Sequence, residues 1–293
     1  MIKAEEGKIS VEHGYQIWYR RVGNSGIPLL TLHGGPGAGH DYLEPLEGLA
    51  TDRAIIFYDQ LGCGKSDQPD DWTLWRIERF VAEVDTVRQA LGLEQIHLLG
   101  QSWGGWLAIE YMLTHPSGII SLTLASTSAS VPQFVAEASR LKVELPQDVC
   151  ETMQRCEVAG DFHNPEYEAA VMMFYQHYVC RLPEWPDCFL RTVANLDNNP
   201  VYETMNGPKE FMVIGNLKDW DRIDRLDEIS VPTLITAGRY DELTPACSET
   251  LHQGIPNSQM VIFEESAHLA HVEETEKYLQ AVADFLAKVE GKH

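Results

Sequence analysis

Six short apolar runs constrain this chain more than anything else in it: "PLLTLHGG", "RAIIFYDQ", "IHLLGQS", "IISLTLAST", "PTLITAGRYD" and "QMVIFEES". Runs of this kind fit strands buried on both faces, the situation of a parallel sheet covered by helices on either side. Helical patterns fall between several of them. In "WRIERFVAEVDTVRQALG", Ile77, Phe80, Val81, Val84, Val87 and Leu91 share one stripe, and the pattern ends at Gly92. Ahead of the first run, "KISVE" and "YQIWYRRVG" read as two strands joined by "HG", a hairpin at the sheet edge. The expected fold class is α/β: a mostly parallel eight-stranded sheet with right-handed crossovers and flanking helices.

The alternation stops after Ser130. Residues 131 to 220 hold helical stretches such as "PQFVAEASRLKVEL" and "NPEYEAAVMMFYQHYVCRL" and no convincing strand, and the rhythm resumes at "VPTLITAG". The organisation expected is a core of residues 1–130 and 221–293 with a helical cap, 131–220, inserted over the carboxyl ends of the strands. No repeat, low-complexity tract or linker interrupts it.

Charge narrows the partners. The formal net charge is −22, so the surface repels phosphate backbones and anionic headgroups, and neither nucleic acid nor membrane is expected as a partner. No window reaches 18 uninterrupted apolar residues. The first residues lack the pattern of a secretory signal, and the six cysteines (63, 150, 156, 180, 188 and 247) show no C-x-x-C spacing. Both features lead to an expectation of free thiols in the cytoplasm. The oligomeric state is left open; a monomer is compatible with everything above.

Four segments carry chemistry. Gly100-Gln101-Ser102-Trp103-Gly104 is G-x-S-x-G, after a strand and before the helical pattern "WLAIEYMLTH", which is the setting of a nucleophile elbow. A serine nucleophile needs a base, and the base needs an orienting carboxylate. Asp241 closes the strand in "TLITAGRYDELTP", and His268 follows the strand in "MVIFEESAHLAHVEE". Ser102, Asp241 and His268 thus stand in the chain order of this fold, nucleophile, acid, base. His271 is the competing base, less well placed because His268 lies nearer the strand end. "LHGGPGAGHDY" supplies glycines that let backbone N–H groups approach an oxyanion; Gly35 and Trp103 are the expected donors. Gly64-Lys65-Ser66 imitates a phosphate loop, but the glycine required five positions before Gly64 is Asp59. No cofactor and no metal is expected: His268-x-x-His271 lacks a third ligand.

Taken together, "LHGGPG", "FYDQLGCGKSD", "GQSWGG", "YDELTP" and "SAH" resemble the proline iminopeptidase family of α/β-hydrolases, most closely its tricorn-interacting aminopeptidase and L-amino acid amidase branch. The likeness runs from the first strand to the last helix. It implies an α/β-hydrolase fold with an inserted cap, a Ser102–His268–Asp241 triad, an oxyanion hole of Gly35 and Trp103, and a cis bond between Gly35 and Pro36. It also implies that Glu210, in "NGPKEF", and Glu242 bind the free amino terminus of the substrate. A protonated amine in a water-poor pocket requires opposite charge beside it. Phe134 and Trp103 are candidates for the wall of the side-chain pocket.

The expected activity is release of an N-terminal residue, proline by resemblance, from short peptides or aminoacyl amides through an acyl-enzyme. An amidase acting on amino acid amides uses the same groups and is the alternative. An esterase, or a hydrolase-fold binding protein without activity, ranks below both.

Overall fold

In the computed structural model, which describes residues 3–292, the six apolar runs become six strands of one sheet. They are β3 (Leu29–Leu32), β4 (Ile55–Tyr58), β5 (Ile96–Gln101), β6 (Ile119–Ala125), β7 (Thr233–Gly238) and β8 (Ser258–Phe263). Every residue of β3, β4, β5 and β7 is buried, as strands covered by helices require. The expected hairpin is present as β1 (Ala4–Ser10) and β2 (Gln16–Val22), paired antiparallel. Its turn places His13 at φ 58 and Gly14 at φ 81. The strand order is β1-β2-β4-β3-β5-β6-β7-β8, parallel from β4 onward.

β3 pairs with β4 on one side and β5 on the other, so the direction of sheet growth reverses there. Ligands of open α/β sheets bind in the crevice beyond the carboxyl ends of strands at such a point. Helix α1 (Ile77–Ala90) buries Ile77, Phe80, Val84 and Val87 as its stripe predicts, with Val81 and Leu91 partly buried. Phe80 meets Trp103 edge-on, ring centroids 5.9 Å apart, on α2 (Trp103–Met112).

Between β6 and β7 the chain forms α3 (Val131–Lys142), α4 (Gln147–Ala159), α5 (Pro165–Tyr178), α6 (Asp187–Leu196) and α7 (Pro200–Met205). Side chains cap three of these helices: Ser130 accepts from Gln133 N, Asn164 from Glu166 N, and Asn199 from Val201 N. The segment's entry and exit are tied together, Val131 N donating to Trp220 O (2.9 Å) and Arg222 N to Ala129 O (2.8 Å). Helix α6 is fastened to the loop after β3, with Asn195 Nδ2 donating to Ala38 O at 3.0 Å and Arg191 bonded to Asp41 and Glu44.

The chain then runs through α8 (Pro245–Gly254), β8, the short α9 (Ala270–Glu273) and α10 (Thr275–Val289). Among the described residues no helix is long and apolar enough to cross a membrane. The end of α10 is latched beneath the sheet: Glu290 accepts from Arg53 Nη1 (2.5 Å) and His97 Nε2 (2.9 Å). Burial works to raise the Glu290 carboxyl, but hydrogen bonds from Lys292, Arg53 and His97 outweigh it and bring it down to about 2. A depressed carboxyl stabilises the fold fully above its unfolded value, near 4.5, and that contribution is lost as pH falls toward 2. Glu290→Gln is therefore expected to lose ~2–3 kcal/mol at pH 7. The gap from wild type, read from urea unfolding midpoints, should shrink to less than half at pH 3.

Candidate active site

Ser102 sits between the last residue of β5 and the first of α2 at φ 58, ψ −124, a backbone region that strains a non-glycine residue by ~1–3 kcal/mol. The neighbouring glycines make the turn possible. A Cβ on Gly104 would lie 2.0 Å from Leu32 O, and one on Gly100 would lie 2.1 Å from Gly104 O. The first turn of α2 therefore rests directly on the end of β3. Ser102 N donates to Ala125 O (3.0 Å), and Thr127 Oγ1 donates to Ser102 O (2.8 Å), fixing the elbow from β6.

Asp241 and His268 arrive from the loops after β7 and β8. His268 Nδ1 lies 2.8 Å from Asp241 Oδ1, which also accepts from Leu243 N at 2.9 Å. Both side chains are buried. Burial works to lower His268, but the Asp241 carboxylate outweighs it, with Glu210 and Glu273 adding to the pull, and holds the imidazole above its ordinary range. His268 Nε2 faces Gln101 Nε2 at 3.1 Å; no hydrogen bond among the described residues joins it to Ser102 Oγ. His271 is pushed down to about 3 by burial and donates from Nε2 to Tyr42 O at 3.0 Å. It is a neutral packing group between the Tyr42 and Tyr278 rings.

The loop after β3 brings Gly35 to the same edge. Its φ is +108, a Cβ there would strike Gly37 N at 2.6 Å, and the Gly35–Pro36 bond is cis as expected. Gly35 N–H has no partner among the described residues, and Trp103 N–H, first in α2, has none within its helix. The segment "DQLGCGKSD" braces this loop. Gln60 N donates to His33 Nε2 (3.0 Å) and Gln60 Nε2 to His33 O (3.0 Å). Asp59 accepts from His40 N (2.7 Å), His40 Nδ1 (2.8 Å) and Lys65 N (2.8 Å). Gly64-Lys65-Ser66 thus wraps a carboxylate of its own chain. His40, Asp41 and Glu44 come close enough to share an ion, but Arg191 already bridges Asp41 and Glu44, and His40 is bonded to Asp59.

A chamber of about 960 Å³ opens above Ser102, lined by Gly35, Tyr42, Gln101, His268, Glu210 and Glu242 together with α5, α6 and α7 side chains. Glu242 is fully buried, and neither of its carboxyl oxygens has a partner. Burial, then repulsion from Glu210 and Asp241, pushes its carboxyl well up. Burial also raises Glu210, against the pull of His268 and a hydrogen bond from Tyr202 OH at 2.9 Å. Both glutamates thus meet in one chamber with Ser102. Phe134 and the Trp103 indole do not: both are packed in the core, Trp103 Nε1 donating to Gln60 Oε1 at 2.9 Å. The apolar wall comes instead from Tyr175, Val179, Trp185, Phe189 and Leu196. Tyr42, Tyr202 and Gln101 also belong to the site. The sequence signal for Gln101 is a long polar side chain closing a fully buried strand.

A serine elbow at the carboxyl edge of a mostly parallel sheet, with acid and histidine following in that chain order, defines the α/β hydrolases. The family model described as alpha/beta hydrolase fold matches residues 27–275. A proline iminopeptidase of Heyndrickxia coagulans is 44% identical over 97% of this chain and 99% of its own. The crystal structure of a proline iminopeptidase from Mycobacterium smegmatis superposes with a TM-score of 0.91 at 36% identity, covering 97% of this chain and 98% of the other. The crystal structure of VinJ superposes at 0.94 and 37%, covering 97% and 99%. The chain belongs to the proline iminopeptidase family.

The elbow makes a steric prediction. Gly104→Ala is expected to lose more than about 3 kcal/mol or to fail to fold, because backbone atoms must move. Gly92→Ala, at φ +63 with nothing within 4 Å of its Cβ, is expected to lose only ~1 kcal/mol. Urea unfolding of the two variants checks the difference, and equal losses would contradict it.

Proposed function

We propose that the chain is a serine aminopeptidase that releases an N-terminal residue, proline by family, from short peptides. The observation that carries this reading is the pair of unpartnered Glu242 oxygens, buried beside Glu210 in the chamber that holds Ser102. Unpaired buried carboxylates are expensive to keep. A substrate ammonium would supply the missing charge and donors, and its distance from the scissile carbonyl would fix cleavage after the first residue.

Ser102 Oγ attacks that carbonyl while His268 Nε2 takes its proton. Asp241 holds Nδ1–H and stabilises the imidazolium. The oxyanion is received by the N–H groups of Gly35 and Trp103, each worth ~2.7–4 kcal/mol in comparable sites. As the intermediate collapses, the C–N bond breaks and His268 returns its proton to the leaving amine. Water, deprotonated by the same imidazole, then hydrolyses the acyl-Ser102 ester.

Residues 131–220 act in this reading as a cap on a core of 1–130 and 221–293, and the bonds between residues 129–131 and 220–222 support those boundaries. The chamber volume favours peptides over simple amides, since a single residue and an ammonia leaving group would fill little of about 960 Å³. We place the enzyme in the cytoplasm, acting on small substrates without nucleic acid, membrane or cofactor.

Two measurements test the reading. Prolyl arylamide should be hydrolysed and its N-acetyl derivative should not; equal turnover would remove the amine site. Glu242→Gln should lower kcat/KM for the free-amine substrate by about 30-fold or more, ~2 kcal/mol or more, through loss of a buried charge partner. Separately, Ser102→Ala should abolish both turnover and labelling by a fluorophosphonate while leaving the circular dichroism spectrum unchanged. Retained activity would reject Ser102 as nucleophile.

A further inference from the structure

We propose that Gln101 is a positioning residue that holds His268 as the neutral base, with its Nε2 lone pair parked away from Ser102 until substrate arrives. The inference rests on the reading of His268 as base and Ser102 as nucleophile.

The partners of Gln101 identify the two ends of its amide. Gly34 N–H can only donate, and it lies 2.7 Å from the Tyr42 hydroxyl oxygen. The single hydroxyl proton is then directed at Gln101, 2.5 Å away, so the atom facing it is Oε1. The opposite end lies 3.3 Å from the main-chain carbonyl of His268, which can only accept, so that end is the NH2 group. Two independent partners orient the amide the same way. The same NH2 group is 3.1 Å from His268 Nε2 and can bond there only to a lone pair. The imidazole proton is therefore on Nδ1, donated to Asp241 Oδ1 at 2.8 Å.

Tyr42 is itself locked. Its N–H donates to Thr192 Oγ1 (3.1 Å) on α6, its carbonyl accepts from His271 Nε2 (3.0 Å), and its ring packs against the His271 ring. The Gln101 amide cannot turn over without stranding the Tyr42 proton and setting its own oxygen against the His268 carbonyl. Protonating His268 at Nε2 would point an N–H at an NH2 group. Asp241, Glu210 and Glu273 favour that protonation, Glu242 shares the chamber, and His271 stays neutral. Gln101 opposes the carboxylates. For attack, Nε2 exchanges the amide for Ser102 Oγ and takes the hydroxyl proton there.

The test is the pH dependence of kcat/KM for prolyl p-nitroanilide. Wild type is compared with Gln101→Met, which keeps the shape without the hydrogen bonds, and with Tyr42→Phe, which frees the amide to turn. Removing a donor to the neutral form favours the cation, so the acid limb should move up by roughly 0.5–1 pH unit in Gln101→Met. In Tyr42→Phe it should move in the same direction by less. A limb that stays in place or moves down in the folded variants overturns the proposal; should Gln101→Met not fold, Tyr42→Phe decides alone. If no arylamide is turned over, the aminopeptidase reading fails, and an NMR titration of the His268 ring, assigned with His268→Gln, tests Gln101 by itself. A ring that titrates higher in the variants than in wild type supports the positioning role, and one that does not overturns it.

Discussion

The approach of α2 to the end of β3 governs the rest of the site. With Gly104 against Leu32 O and Gly100 against Gly104 O, the helix begins where no side chain would let it begin. Three consequences follow from that one contact. Ser102 is forced to φ 58, which presents its hydroxyl to the chamber. Trp103 N–H, first in the helix, is left free beside the loop that carries Gly35. The indole of Trp103 is turned into the core against Phe80 and Trp106, where its bond to Gln60 ties the helix to the brace beneath the His33–Gly35 loop. The Ser102 hydroxyl and the N–H groups of Gly35 and Trp103 are thus set by backbone packing, and the residues that look most decorative in the motifs supply the support.

That division explains what can be read from the sequence. Strands buried on both faces announce themselves as apolar runs, and all six are legible; so are the hairpin, the α1 stripe and the order of Ser102, Asp241 and His268. β1 begins earlier than its pattern suggests, at Ala4, because an exposed edge strand carries no apolar alternation to betray it. Glu83 lies outside the apolar stripe of α1 yet is buried, accepting from Leu61 N at 3.3 Å, with its carboxyl raised to about 7 by burial. Phe134 and Trp103 mislead for a related reason: apolarity shows that a side chain leaves water, not whether it does so in a core or in a pocket wall. The glutamates are visible only through family resemblance. Among 44 acidic residues, nothing local separates a buried carboxyl from a solvated one.

Burial sorts the titratable groups of the site into three kinds. His33 and His271 are pushed down by burial and kept neutral, so they serve as fixed hydrogen-bonding groups in the walls. His268 is buried as deeply, yet its bond to Asp241 raises it and leaves it able to accept and return a proton. Burial, with Glu210 and Asp241 as neighbours, drives Glu242 up as well, which for a carboxyl favours the uncharged form. The same low-dielectric setting that makes Glu242 costly without a partner makes an ammonium beside it worth far more than it would be in water. Under the proposed function, occupancy of the acidic end would also matter to His268. Glu210 contributes to holding His268 up, and neutralising it with a bound amine would weaken that contribution. Under the proposed function, binding and proton transfer would therefore be coupled through one carboxylate, and a blocked amino terminus would forfeit both the anchor and the adjustment of the base.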